Sequence, residues 1–252
     1  MKTKILITGG CGKIGSYFAK YAADQYHLRV ADKVAWNAEK QGSLFAESIV
    51  IDLQDIAACR KACEDMDMVI HLAADANPEA DFHVSLLSNN IIATHNMFRA
   101  AKDAGCKRFI FASSAHVVSA YAADIQIHSE MAVRPQNIYG ATKCFGEALG
   151  AYFAYTEGLP TIVLRIGAYT FPEGYGHFRM EEIDAFIDPD DLNQLLVRCL
   201  ETPDIKFAIA HAISNNRYKR LDLSDTREIF GYEPKADAFE IFNILPRTGQ
   251  AS

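Results

Sequence analysis

The chain has 252 residues, half of them apolar and 23% charged, and 25 Lys and Arg against 32 Asp and Glu leave a net charge of −7. That is the composition of a globular protein able to bury a core without a metal or disulfide staple, and it argues against a nucleic-acid surface, which would show a basic stripe; the one basic cluster, Arg217-Tyr218-Lys219-Arg220, reads as a solvated turn. No run reaches the ~18 apolar residues of a membrane span, residues 1–7 are too short for a signal peptide, and six scattered cysteines without a CxxC pair imply reduced thiols, no metal site and a cytoplasmic protein.

Residues 4–8 form a short apolar run closed by glycines, the pattern of a buried strand. A helix is expected from residue 15 to 26, then strands over 28–32 and 48–52. A helix over 56–64 leads to a fourth strand over 68–72. A helix over 91–104 stops at Gly105, and a fifth strand covers 108–112. A long helix over 142–155 and a sixth strand over 161–165 follow. Strands alternating with helices predict an α/β fold with a doubly wound parallel sheet of the Rossmann type. Beyond Gly167 the pattern weakens to a helix over 191–200 and a strand over 207–210, with loops at Pro172, Gly174, Gly176 and Pro189. No polar linker divides the chain. Residues 1–252 therefore read as one domain, in which 168–252 contribute a small C-terminal lobe capping the substrate.

Thr8-Gly9-Gly10-Cys11-Gly12-Lys13-Ile14-Gly15 lies between the first strand and the first helix. It satisfies GxGxxG and also GxxGxxG. Glycines there permit a tight turn, close approach of backbone to a pyrophosphate, and helix–strand packing. The free N–H groups of the helix start, at Lys13 and Ile14, then face phosphate oxygens. A P-loop is excluded, because Lys13 is followed by Ile14 and the required earlier glycine is Ile7. Asp32 ends the second strand twenty residues after Gly12. A carboxylate there accepts hydrogen bonds from ribose hydroxyls and repels a 2′-phosphate, which selects NAD over NADP. Lys13 and Lys33 are nearby cations that partly offset that repulsion.

Tyr139 and Lys143 stand four residues apart, on one face of a helix. A free tyrosine, with a pKa near 10, is a poor base at neutral pH. A nearby ammonium stabilises the phenolate, and the tyrosine then takes the proton of a substrate hydroxyl as hydride leaves the carbon. Ser113 and Ser114 follow the fifth strand at its carboxyl end, the edge at which open α/β sheets bind ligands.

Taken together these residues resemble the extended short-chain dehydrogenase/reductase superfamily of NAD-dependent epimerases, dehydratases and sugar dehydrogenases. The resemblance runs over most of the chain: the glycine turn, Asp32, Asp52-Leu53, His71-Leu72-Ala73-Ala74, Asn90, Phe111-Ala112-Ser113-Ser114 and the Tyr139/Lys143 pair occur in family order. It implies Tyr139 as base, Lys143 as partner of both tyrosine and nicotinamide ribose, and Ser114 as ligand of the reacting oxygen. Asp52 and Leu53 would flank the adenine, and Leu72, Ala73, Ala74 and Asn90 would line the cofactor path.

Within that group, residues 111–116, 139–147 and 163–167 are similar to uronate dehydrogenases, and residues 71–101 to archaeal NAD-dependent glucose-6-phosphate dehydrogenases. Both oxidise a sugar at C1. Three polar substrate contacts of uronate dehydrogenases are replaced here by Ala76, Ala115 and Ala168, while His116 and Arg179 stand at the family's histidine and carboxylate-binding arginine. The resemblance thus implies a small unactivated sugar as substrate and, by analogy, a homodimer. A nucleotide-sugar epimerase or dehydratase would need more chain than the 109 residues after Lys143 to hold its nucleotide. A non-catalytic NAD sensor would be expected to lose the tyrosine.

Overall fold

A computed structural model describes residues 2–41 and 47–244. The chain runs β1 (Lys4–Thr8), α1 (Lys13–Ala22), β2 (His27–Asp32), α2 (Ala38–Gln41), β3 (Glu47–Val50), α3 (Ile56–Cys63) and β4 (Met68–His71). A widened, π-helical stretch, Phe82–Ile92, leads directly into α4 (Ala93–Asp103), followed by β5 (Arg108–Ser114), α5 (Ile138–Tyr152) and β6 (Thr161–Ile166). After these come β7 (Ala168–Tyr169), β8 (Phe186–Ile187), α6 (Pro189–Glu201), β9 (Phe207–Ala212), α7 (Ser224–Phe230) and α8 (Ala238–Ile241).

Seven strands form one parallel sheet in the order β3-β2-β1-β4-β5-β6-β9. Alternate residues of each strand feed two cores. Ile5, Ile7, Val30, Ile70, Ile110 and Leu164 pack with Phe18 of α1 and Leu192, Leu195 and Leu196 of α6. Leu6, Val69, Phe109, Phe111 and Val163 pack on the opposite face with Cys59 and Ala62 of α3 and Met97, Phe98 and Ala101 of α4. Burial on both faces explains why the strands read as continuous apolar runs. The chain winds outward from β1 to β3 and then from β4 to β9, so the direction reverses between β1 and β4. A crevice opens there, at the carboxyl ends of the strands.

The expected doubly wound sheet is thus the observed one, with shifted element boundaries. The helix expected from residue 91 begins at Phe82, where the Asp81 carboxylate caps the N–H groups of His83 and Val84. The wide π winding spoils the 3.6-residue spacing that marks a helix in sequence. The helix expected from residue 142 begins at Ile138, started by the Asn137 side chain on the Gly140 N–H, so Tyr139 lies in its first turn. Ser113 and Ser114 are the last two residues of β5 and do not follow it. In the segment read as loop, Ala168 and Tyr169 pair with Phe186 and Ile187 as a second, two-stranded sheet. All six cysteines are free. Among the described residues no helix is long and apolar enough to cross a membrane, and no group of three or more His, Cys, Asp or Glu is placed to hold a metal.

Candidate active site

The glycine turn joins β1 to α1 at the crevice. Gly9 has φ +67°, and a Cβ there would stand 2.6 Å from the Ala73 N; a side chain is excluded both by backbone conformation and by the neighbouring strand end. A Cβ on Gly15 would meet Gly9 and Gly10 backbone at 2.6 Å, so that glycine serves helix–strand packing. Gly12 is the N-cap of α1 and brings no capping side chain. The first N–H groups of the helix, at Lys13 and Ile14, therefore face outward with the positive end of the helix dipole. Gly9, Gly12, Asp32, Asp52, Leu53, Leu72, Ala73 and Ala74 line one cleft together with Lys33, Gln54, Asn89 and Ala93. This arrangement fits a dinucleotide: a side-chain-free cradle over an uncapped helix start, with a carboxylate at the end of β2.

Asp32 also holds the turn, since its Oδ2 accepts the Cys11 N–H at 2.9 Å. Asp52 is exposed and accepts the Gln54 N–H at 2.9 Å. Asn90 departs from the expected cofactor path. It is 2% exposed, its Oδ1 accepts the Asp75 N–H at 2.8 Å, and its Nδ2 donates to the Asp75 carbonyl and the Thr142 hydroxyl at 3.0 Å each. Asn90 thus clamps the loop after β4 to α5, and its neighbour Asn89 is the one that lines the cleft.

Ser114, Tyr139 and Lys143 meet at the carboxyl end of β5. All three are buried, and the Ser114 side chain acts on the Tyr139 phenol. The Ser114 Oγ also accepts the His116 N–H at 3.2 Å. The Lys143 Nζ donates to the Ala112 carbonyl at 2.8 Å and lies 5.8 Å from the Tyr139 ring centre. Burial pulls the Lys143 ammonium down to about 8. Burial likewise raises the Tyr139 phenol above the usual tyrosine value; the Ser114 side chain lowers it and the Asp75 charge raises it. Among the chain's own groups burial is thus the largest influence on this phenol, and it acts upward.

His116 packs edge-on against Tyr139, ring centres 5.5 Å apart. The Gly140 N–H donates to the Asn137 Oδ1 at 2.7 Å, which fixes that amide, so the Asn137 Nδ2 is the donor to the His116 Nδ1 at 2.9 Å. This leaves the neutral ring with its proton on Nε2. Burial lowers the His116 pKa and favours that neutral ring; Glu182 and Arg179 act on it in opposite senses. Arg179, whose side chain is 64% exposed, already contacts Glu181 at 3.2 Å and Glu182 at 3.4 Å. Ala76 is exposed, and Ala115 and Ala168 are half-buried.

Two features were not singled out in the sequence. Asp75, half-buried, hydrogen-bonds Ser85 through a short contact and acts electrostatically on Tyr139; an isolated aspartate between two alanines carries no spacing signal. Behind Ser113 the Glu147 carboxylate accepts the Ser113 hydroxyl at 2.7 Å and forms a buried pair with Arg165 at 2.9 Å. The one signal for that pair is the position of Glu147 one helical turn beyond Lys143.

Known proteins resemble the chain over most of its length. The chain is 31% identical to the NAD-dependent glucose-6-phosphate dehydrogenase of Haloferax volcanii, over 95% of this chain and 96% of that one. It is 32% identical to the L-arabinose 1-dehydrogenase (NAD(P)(+)) of the same organism, over 92% and 96%. The crystal structure of a glucuronic acid dehydrogenase from Chromohalobacter salexigens superposes with a TM-score of 0.86 at 26% identity, covering 100% of this chain and 93% of that one. The model of the NAD dependent epimerase/dehydratase family matches residues 5–198, and the chain belongs to that family.

Proposed function

We propose that the protein oxidises the C1 hydroxyl of a small unactivated sugar (a uronate, an aldose or a sugar 6-phosphate) to a lactone, with NAD as hydride acceptor. The observation that carries this reading is the buried Ser114–Tyr139–Lys143 group at the carboxyl end of β5, beside β4, beyond which Leu72, Ala73 and Ala74 line the Asp32 cleft. It is supported by relatives named for glucose-6-phosphate, L-arabinose and glucuronic acid, which share the scaffold and differ in the sugar.

Gly9, Gly12 and Gly15 shape the turn, the Lys13 and Ile14 N–H groups bind pyrophosphate, and Asp32 accepts the ribose hydroxyls. Asp52 and Leu53 hold the adenine, and Leu72, Ala73 and Ala74 line the path kept in place by Asn90. Bound NAD⁺ supplies the hydride acceptor and a positive charge. Ser114 and Tyr139 bind the sugar C1 hydroxyl. The phenolate of Tyr139 takes that proton as the C1–H hydride leaves, and a carbonyl forms at C1. Lys143 balances the phenolate and orients the ribose. Ala76, Ala115, His116, Ala168 and Arg179 shape the sugar site, and the segment 168–252, apart from α6 and β9 that complete the main sheet, contributes its small lobe. The same reading makes the enzyme a cytoplasmic homodimer.

The test is NADH formation by purified protein across uronates, neutral aldoses, aldose 6-phosphates and UDP-sugars, with the product identified by mass. A lactone from a free sugar is expected. Turnover confined to UDP-sugars would overturn the reading in favour of nucleotide-sugar chemistry. Tight NAD binding without turnover of any sugar would make the protein a sensor.

A further inference from the structure

We infer that the sugar this site accepts is uncharged: a neutral aldose, in preference to a uronate or a sugar phosphate. The inference rests on C1 oxidation as proposed above and narrows it.

An anionic sugar needs a cation that is open to it, and the guanidinium whose charge reaches His116 is that of Arg179. It is engaged already, by Glu181 through Nε and by Glu182 through Nη1, and Glu79, on the loop after β4, also acts on it. The cluster borders the reacting centre, because Glu182 and Arg179 both act on His116, whose ring lies against Tyr139. Three carboxylates, Glu79, Glu181 and Glu182, thus act on one guanidinium, and a fourth, Asp75, in turn acts on Tyr139. An arriving carboxylate or phosphate would compete with these glutamates for Arg179 and remain near like charge, which costs affinity unless a partner compensates.

Among the described residues the basic groups next to Tyr139 do not compensate. The Lys143 Nζ donates to the Ala112 carbonyl inside the protein, and His116 is held as a neutral donor by Asn137. The Ala76, Ala115 and Ala168 side chains bring no polar atoms to an anion. For a neutral aldose the same surroundings are favourable. Sugar hydroxyls are donors, ionised carboxylates are strong acceptors with several lone pairs each, and the resulting hydrogen bonds are charge-assisted.

The experiment compares kcat/KM, at saturating NAD, for a neutral aldose, its own uronate and its own 6-phosphate, so that ring stereochemistry is constant. A preference for the neutral sugar of about tenfold or more is expected, with a KM nearly independent of salt, since no exposed ion pair is formed with the substrate. A Glu181→Gln/Glu182→Gln double variant, both changes on exposed or half-exposed side chains, releases Arg179 and narrows the preference by raising kcat/KM for the uronate. NAD affinity measured by calorimetry checks that this variant is folded. A wild-type enzyme preferring the uronate or the phosphate overturns the inference and leaves C1 oxidation standing. NADH from none of the three free sugars overturns C1 oxidation and the inference with it.

Discussion

Tyr139 is the residue on which the chemistry turns, and its surroundings define two tests. Its ring is buried and packs edge-on against His116, so Tyr139→Phe keeps ring and packing and removes one oxygen. Turnover is expected to fall by roughly 10²–10⁴-fold, the range of a lost general base. NAD affinity, measured by calorimetry, is expected to stay within about twofold, because the variant leaves the Asp32 cleft untouched. Near-normal turnover would remove Tyr139 from the mechanism. Asp32 is the second case. It lies in the cleft and also accepts the Cys11 N–H, so Asp32→Ala removes the ribose acceptor and loosens the glycine turn. The ratio of kcat/KM for NAD over NADP is expected to narrow by about tenfold or more, with a weaker absolute affinity for NAD as well. An unchanged ratio would show that Asp32 does not read the ribose. These residues were legible because each carries a spacing rule: glycines before a helix, an acid ending the second strand, Tyr and Lys one turn apart. Asp75 and the glutamates around Arg179 carry none. Their effect arises only where the loop after β4 and the segment after β7 come together.

At the scale of elements, α5 is held to the sheet by a buried ion pair as well as by apolar contacts. Glu147 accepts from Ser113 on β5 and from Arg165 on β6, and Arg165 is 1% exposed. The contact joins the strand that carries Ser114 to the helix that carries Tyr139 and Lys143, so it sets the spacing of the three. Glu147→Gln keeps the shape and leaves the Arg165 guanidinium buried without its counter-charge. A loss of about 3–5 kcal/mol in unfolding free energy, read from urea denaturation, is the expected result. A change below about 1 kcal/mol would mean that water reaches Arg165 in the folded protein. Helices and strands were largely legible from periodicity, since both cores draw on alternate strand residues and on amphipathic helices. The starts of two helices were not. Asn137 begins α5 four residues before the apolar pattern does, and Asp81 begins a π-wound stretch whose spacing no 3.6-residue pattern describes. Both starts are set by a single side-chain cap, a local hydrogen bond with little compositional signature.

Across the whole molecule, the sheet places two neutral histidines where protonation is costly, and this gives the fold a defined acid limit. His71 ends β4, is 1% exposed, and bonds the hydroxyls of Thr8 at 2.7 Å and Thr94 at 3.4 Å. Burial pulls it down to about 3, with the Lys143 charge acting in the same direction. His211 lies in β9 and is equally buried. Its Nδ1 donates to the Asp222 carbonyl at 2.8 Å, and its buried Nε2 has no hydrogen-bond partner. Burial lowers it to about 4. In the unfolded chain both titrate near 6.5. Between that value and about 4 the unfolded chain binds two more protons than the folded one at these sites, so stability rises with pH there and is lost as pH falls. Each histidine contributes about 1.4 kcal/mol per pH unit, and the pair about 3 kcal/mol. With a typical total of roughly 5–15 kcal/mol, two units of acidification below pH 6 would remove much of the fold. Urea midpoints taken from pH 7.5 to 4.5 are expected to be level above pH 7 and to fall with that slope below pH 6. His211→Asn, which retains a donor for the Asp222 carbonyl and does not titrate, is expected to halve the slope. A midpoint unchanged from pH 6.5 to 5 would mean that both rings accept a proton without leaving the folded sheet.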